Sequence, residues 1–396
     1  MTHTIIPGIR YIGVDDLELD LFEGQYAAAE GMAYNSYLIE DEKIAILDTS
    51  DEAVGEAWKA NLAEALGGRT PDYLVAHHVE PDHAGLIVWA LEQWPSLTLV
   101  ASAKAVQFLG QFHEGVDFAS RARIVKEGDE LPLGGRTLRF LAAPMVHWPE
   151  VLVSFETSGK VLFSADAFGK FGALSRCGYF GEDDNDWACE ARRYYFNICG
   201  KYGMPVQTLL KKVAQLSPEV ICPLHGPVLR SNLSAYLDLY QTWSSYGVET
   251  EGVFIAYASM HGGTAKAAEK LAEILREKGC PKVVTADLCR DDMAEAVEDA
   301  FRYGKMVLAA PTYDGGLFTP AANFLHLLQA KGWQQKRVGL VENGTWAPAA
   351  ARVMKEAFAT MKGITVVDPT VTLLSTLKTT DLPALEALAD AMLADS

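Results

Sequence analysis

The chain has 396 residues, with 34 Lys+Arg against 52 Asp+Glu, six cysteines and 49% hydrophobic residues, which is material for two or three globular domains. A formal charge of −18 repels a phosphate backbone, and no stripe of Lys and Arg offsets it, so nucleic-acid and anionic-membrane binding are excluded as leading functions. No apolar run reaches the roughly 18 residues that cross a bilayer, Met1 to Asp16 has neither a basic n-region nor an apolar h-region, and the cysteines form no C-x-x-C pair; a cytoplasmic chain without a disulfide scaffold or a thiolate metal site is expected.

In chain order, strands over 34–39 and 43–47 flank the charged turn Glu40-Asp41-Glu42, and an Ala/Leu-rich helical stretch follows. A buried-strand run over 73–76 ends in His77. A meander of strands over 137–142, 151–155 and 161–164, with Ser158-Gly159-Lys160 as a hairpin turn, carries His147 and Asp166 at strand ends. After Pro205 come a helix, a strand over 220–222, a loop holding His225 and a helix up to about Tyr246, with 247–252 as a short linker. Beyond it, strands over 253–258, 282–286, 306–310, 337–341 and 364–367 alternate with helices over 265–278, 291–302, 320–330, 349–361 and 383–393. Such alternation means a parallel sheet covered on both faces. The expected division is 1–249 and 250–396.

The densest chemical signal is His77-His78-Val79-Glu80-Pro81-Asp82-His83-Ala84-Gly85, where a buried strand ends and a helix starts. A polar loop with Asp82 near the N-cap would account for one carboxylate. Three histidines and two carboxylates at one strand terminus outweigh that reading. His147, Asp166 and His225, each at a strand end, would singly be satisfied polar residues. Together with the loop they number enough for two metals of three or four protein ligands each and a bridging carboxylate.

In the second half, Ser259-Met260-His261-Gly262-Gly263-Thr264 lies between the first strand and the first helix. Its N–H groups, the hydroxyls of Ser259 and Thr264 and the positive helix end would form an anion pocket. A plain strand-to-helix turn is the competing reading, and two further loops weigh against it. Pro311-Thr312-Tyr313-Asp314-Gly315-Gly316 follows the third strand, and Asn343-Gly344-Thr345-Trp346-Ala347-Pro348 follows the fourth. In a doubly wound sheet of order 2-1-3-4-5 these loops gather beside the switch point, where a mononucleotide binds. No Walker A or G-x-G-x-x-G is present, so an ATP or dinucleotide site is not supported.

H-x-E-x-D-H followed by His, Asp and His resembles the metallo-β-lactamase αββα sandwich, and Glu80 in place of the second histidine resembles the flavodiiron proteins. Replacing an imidazole by a carboxylate hardens the site and favours redox-active iron over zinc. The second half resembles flavodoxin, although flavodoxins commonly carry a hydroxyl residue where His261 stands. The resemblance implies a first iron on His78, Glu80 and His147, a second on Asp82, His83 and His225, and Asp166 bridging. It gives His77 no role beyond a supporting one, and it implies a catalytic tyrosine, Tyr194, with Tyr195 as the alternative.

It further implies FMN held by the three loops, with the first on the phosphate and the other two along the isoalloxazine. The activity implied is reduction of O2 to water, or of NO to N2O and water. A head-to-tail homodimer, or a dimer of dimers, is implied too, because flavin and irons of one chain in this family lie too far apart for fast electron transfer. With no C-x-x-C module before Ser396, an external donor, rubredoxin, is expected. Rubredoxins are themselves usually acidic, so a local patch of Lys or Arg, or an apolar contact, is expected near the FMN edge. Two alternatives stand beside this reading: a dizinc hydrolase fused to a flavodoxin, and a gas sensor or electron carrier without turnover.

Overall fold

The computed structural model describes residues 2–394. It divides into two compact units, Met1–Tyr195 with Met204–Gln241, and Phe196–Gly203 with Thr242–Ser396.

The first unit is built on two sheets. One has seven strands, in which His3–Ile6, Ile9–Tyr11, Tyr37–Ile39 and Ala45–Leu47 pair antiparallel and Tyr73–Val75, Thr98–Ala101 and Ala122–Ile124 continue in parallel. The other has five, Glu130–Pro132, Thr137–Ala142, Leu152–Glu156, Val161–Phe163 and Val220–Cys222. Tyr37, Ile39, Ala45, Leu47 and Val75 from one sheet meet Leu138, Phe140, Leu152, Val161 and Phe163 from the other in a single core. Leu38, Ile46, Leu74 and Leu99 on the opposite face are fully buried as well. A half-solvated sheet would alternate, so these strands are covered on both sides. The helices Gly55–Leu66 and Ile87–Gln93 carry the buried Trp58, Leu62, Ile87 and Leu91 that such a cover needs.

The second unit is a parallel sheet in the order Val283–Asp287, Thr250–Tyr257, Tyr303–Tyr313, Arg337–Asn343, Thr365–Val366, which is 2-1-3-4-5. Helices Gly263–Glu277 and Leu382–Leu393 bury Leu271, Leu275, Leu385 and Leu388 against Val253, Ile255, Val307 and Val341. The expected fold class, an αββα sandwich followed by a doubly wound sheet, is the one found.

Three local expectations change. Residues 250–252 are not linker: the first strand of the parallel sheet begins at Thr250, opposite Tyr303. The fifth strand is split into Thr365–Val366 and Val371–Leu373 by Asp368-Pro369, since proline brings no N–H to a ladder. The N-terminal segment, unassigned from the sequence, supplies the strands His3–Ile6 and Ile9–Tyr11, too short for a visible period.

Candidate functional site

The loop after Tyr73–Val75 turns into the short helix Pro81–Ala84, with Pro81 at its first turn, where the missing N–H costs nothing. This segment gives two donor residues to one cluster and two to another. One donor atom each from His78, Glu80, His147 and Asp166 lie within 4.8 Å of one another, as do atoms from Asp82, His83 and His225. All seven residues named from the sequence are therefore brought together.

Asp166 joins the clusters. Its Oδ2 is 3.1 Å from Nε2 of His147 and 3.5 Å from Nε2 of His78, while its Oδ1 is 3.3 Å from Nε2 of His83 and 3.8 Å from Nε2 of His225. Glu80 Oε2 lies 3.1 Å from Nε2 of His78 and 3.2 Å from Nε2 of His147. Asp82 Oδ2 lies 3.2 and 3.4 Å from Nε2 of His83 and His225. Five of the seven are buried, and Glu80 and His147 are half-buried.

These atoms fit cations. His225 Nδ1 donates to the Ala33 carbonyl (2.8 Å), and a carbonyl only accepts, so a neutral His225 ring turns a lone pair on Nε2 toward the centre. That Nε2 stands 3.1 Å from Nε2 of His83. Asp82 Oδ1 is buried without a hydrogen-bond partner. The field is correspondingly strong. Burial works against charge on Glu80, yet hydrogen bonds from His147 and His78 hold its carboxyl down at about 2. Burial likewise opposes a charged His147, but Asp166 and Glu80 raise it to about 9. Burial opposes ionisation of Asp166 too, and His78, His147 and His83 outweigh it, holding its carboxyl well below the usual range. A field that draws protons to inward-facing imidazoles serves equally to bind dications in their place.

Of the surrounding residues, His77 and Tyr194 are named from the sequence, and Glu150, Asn35 and Tyr34 are not. His78 Nδ1 donates to Glu150 Oε1 (2.6 Å). His77 points away: its Nδ1 pairs with Asp48 Oδ2 (2.6 Å) and its Nε2 with the Ser154 hydroxyl (2.7 Å), a supporting position. Asn35 straps the His225 loop, its Nδ2 donating to the carbonyls of Pro223 (2.8 Å) and Gly226 (2.7 Å). Gly226, at φ +76°, packs against the Lys170 side chain, which is ion-paired in the interior with Asp184. Tyr194 lies with its ring 5.5 Å from that of His225, whereas Tyr195 packs on Tyr240 at 5.1 Å. Tyr34 is a second phenol beside the pair, 5.9 Å from the His225 ring. Burial, with Asp82, Asp51 and Asp16 nearby, pushes its hydroxyl pKa up.

In the second unit, the three expected loops line one cavity of about 480 Å³, within the usual size of a cofactor cleft. Ser259, Met260, His261, Gly263 and Thr264 come from the first loop, Pro311 to Gly315 from the second and Asn343 to Ala347 from the third. Gly262 and Gly316 are not among its lining residues, and Ser375, unmarked in the sequence, is. Gly262 instead caps helix Gly263–Glu277 at φ +80°. A Cβ on Gly263 would stand 2.3 Å from the Ser375 carbonyl, so only glycine lets the loop close. The Ser259 hydroxyl is buried without a partner at the mouth of this helix, an unspent donor where an anion would sit. Thr312 is occupied otherwise: its hydroxyl accepts from the N–H groups of Ala349 (2.8 Å) and Ala350 (3.2 Å), tying the second loop to the third. The rim is apolar and exposed at Met260, Tyr313 and Trp346, the last 81% accessible.

Comparison with known proteins decides the family. The family model described as ODP family beta lactamase matches residues 32–226, and the flavodoxin model matches 255–387. The chain is 27% identical to the anaerobic nitric oxide reductase flavorubredoxin of Salmonella paratyphi B, over 86% of this chain and 72% of that protein. Its structure superposes on the rubredoxin oxygen:oxidoreductase of Desulfovibrio gigas with a TM-score of 0.92 at 27% identity, covering 99% of this chain and 98% of the other. The chain belongs to the flavodiiron protein family. A flavodiiron protein of Giardia intestinalis shares the fold, with a TM-score of 0.92 at 24% identity, covering 99% of this chain and 96% of that one. As a flavodiiron protein, this chain is an oxidoreductase with a flavin-binding and a diiron half, and no helix among its described residues is long and apolar enough to cross a membrane.

Proposed function

We propose that this flavodiiron protein reduces O2 to water, or NO to N2O and water, at a diiron site fed with electrons through FMN. The observation that carries the reading is the split of Asp166, with one oxygen toward each cluster of imidazole and carboxylate groups. His78, Glu80 and His147 would hold one iron, Asp82, His83 and His225 the other, and Asp166 both. When bound, the iron pair supplies reversible one-electron chemistry and open coordination positions for a small gas. The chain's own residues set the spacing, exclude bulk water by burial and offer protons. Tyr194, beside His225, is the phenol proposed to hold a proton at its Oη for the developing water. The loops at 259–264, 311–316 and 343–347 would hold FMN, with the Ser259 and Thr264 hydroxyls and the helix end at Gly263 on its phosphate and the Tyr313 and Trp346 loops along its ring.

The domains are assigned as 1–249 for the diiron half and 250–396 for the FMN half. We assign a rubredoxin-type protein as electron donor, meeting the apolar rim at Met260, Tyr313 and Trp346. A head-to-tail homodimer, which would bring the FMN of one subunit to the irons of its partner, and a cytoplasmic location complete the assignment. A dizinc hydrolase fits less well, because hydrolysis has no use for a flavin half and because Glu80 makes the site harder than zinc requires. Anaerobic reduction of purified protein followed by O2 or NO tests the reading. Flavin reoxidation with stoichiometric consumption of gas, lost on iron removal, is expected; two zincs per chain without gas consumption would support the hydrolase, and a spectral change without turnover the sensor.

A further inference from the structure

We propose that Glu150 is a positioning residue that makes the two metals electronically unequal: its carboxylate fixes His78 with Nε2 toward the first cluster and lends that imidazole anionic character. The proposal rests on His78 being a ligand of the first iron.

Glu150 is 3% exposed and lies between His147 and the strand Leu152–Glu156. Its Oε1 accepts from His78 Nδ1 at 2.6 Å and from the Val79 N–H at 3.2 Å. Among the described residues its ion-pair partner is His78, with no Lys or Arg, and Oε2 is buried without a hydrogen-bond partner. A buried carboxylate left without a cation is costly, so its charge must be balanced through the imidazole it touches. A cation on the far side of the ring supplies that balance, with His78 as the bridge. A carboxylate behind a ligating imidazole pulls the Nδ1 proton toward itself and makes Nε2 a stronger donor. The second cluster lacks this device at His225, whose Nδ1 meets the neutral carbonyl of Ala33. The seven ligands thus receive unequal support from behind, and the extra negative charge falls on the His78 side.

The test uses full-length protein loaded with 57Fe, comparing wild type, Glu150→Gln and Glu150→Asp by chelator competition and Mössbauer spectroscopy, with FMN content and circular dichroism as checks on folding. Gln keeps the shape and an acceptor oxygen for His78 and Val79, and removes only the charge. One iron of the pair should bind about 10- to 100-fold more weakly in Glu150→Gln, with a shift of its own quadrupole doublet while the other doublet stays in place. Glu150→Asp, shorter but charged, should fall between. A Gln variant that holds both irons like wild type with unchanged doublets overturns the proposal, as does an Asp variant weaker than Gln, which would put reach above charge. Wild type that binds no iron pair at all overturns the reading of the metal centre itself, and this proposal with it.

Discussion

Some candidate ligands are held from their outer side, His78 by Glu150 and His225 by the Ala33 carbonyl and a loop strapped by Asn35, and these partners are where single substitutions should tell. Asn35 is the clearest case: two side-chain bonds and its own N–H, which donates to Leu224 O at 2.8 Å, fasten three of the four residues from Pro223 to Gly226 around His225. Asn35→Ala leaves the buried Gly226 carbonyl without a donor and the Pro223 carbonyl with the Tyr37 hydroxyl (2.5 Å) alone, so about 1–2 kcal/mol of stability should go, with selective loss of one iron per chain. Iron stoichiometry and thermal melting check this; a variant with two irons and an unchanged melt would contradict it. The candidate ligands could be read from the sequence because four of them crowd into one stretch and the rest lie in loops that follow strands. Asn35 could not, since its partners lie nearly 190 residues away in sequence (|i−j| = 188), and a lone buried asparagine has no pattern to betray it. Glu150 was missed for the same reason. Tyr194 and Tyr195 were indistinguishable as neighbours on a helix, until the ring distances to His225 and Tyr240 separated them.

At the scale of elements, the alternating half was legible almost throughout, because parallel strands buried on both faces read as continuous apolar runs between amphipathic helices. Where it failed, a proline intervened, as at Pro369, or a contact distant in sequence decided, as with Thr312 capping the 349–350 turn. The strand Arg337–Asn343 also carries a cost at its entrance. Lys336 is 3% exposed, its Nζ donating to the Phe301 carbonyl at 2.9 Å, and burial lowers its pKa from 10.5 to about 8. A lysine harder to protonate when folded destabilises the fold below pH 8, and that penalty fades between pH 8 and 10.5 as the unfolded lysine also loses its proton. Lys336→Met should therefore stabilise this unit at pH 7 by about 2–3 kcal/mol and progressively less toward pH 10.5. Denaturant unfolding across that range measures it, and a constant difference, or none at pH 7, would contradict it.

For the whole molecule, the acidity and the patternless cysteines of the sequence fit together: the redox work falls to imidazole and carboxylate groups and to a flavin cleft. On the proposed route, electrons that enter at the apolar rim of the candidate FMN cleft have to reach the metal pair, and the proposed head-to-tail dimer would give them a path between subunits. Dissociating the dimer by interface charge substitutions should abolish turnover while both cofactors stay bound; a fully active isolated monomer would sink the dimer proposal. All of this presumes that seven side chains hold two irons. The measurement closest to that claim is anomalous diffraction at the iron edge from crystals of the iron-loaded protein. Two peaks should appear, one against His78, Glu80 and His147, the other against Asp82, His83 and His225, with Asp166 touching both. A single peak, a signal only at the zinc edge, or metal that leaves Asp166 uncoordinated would contradict the account.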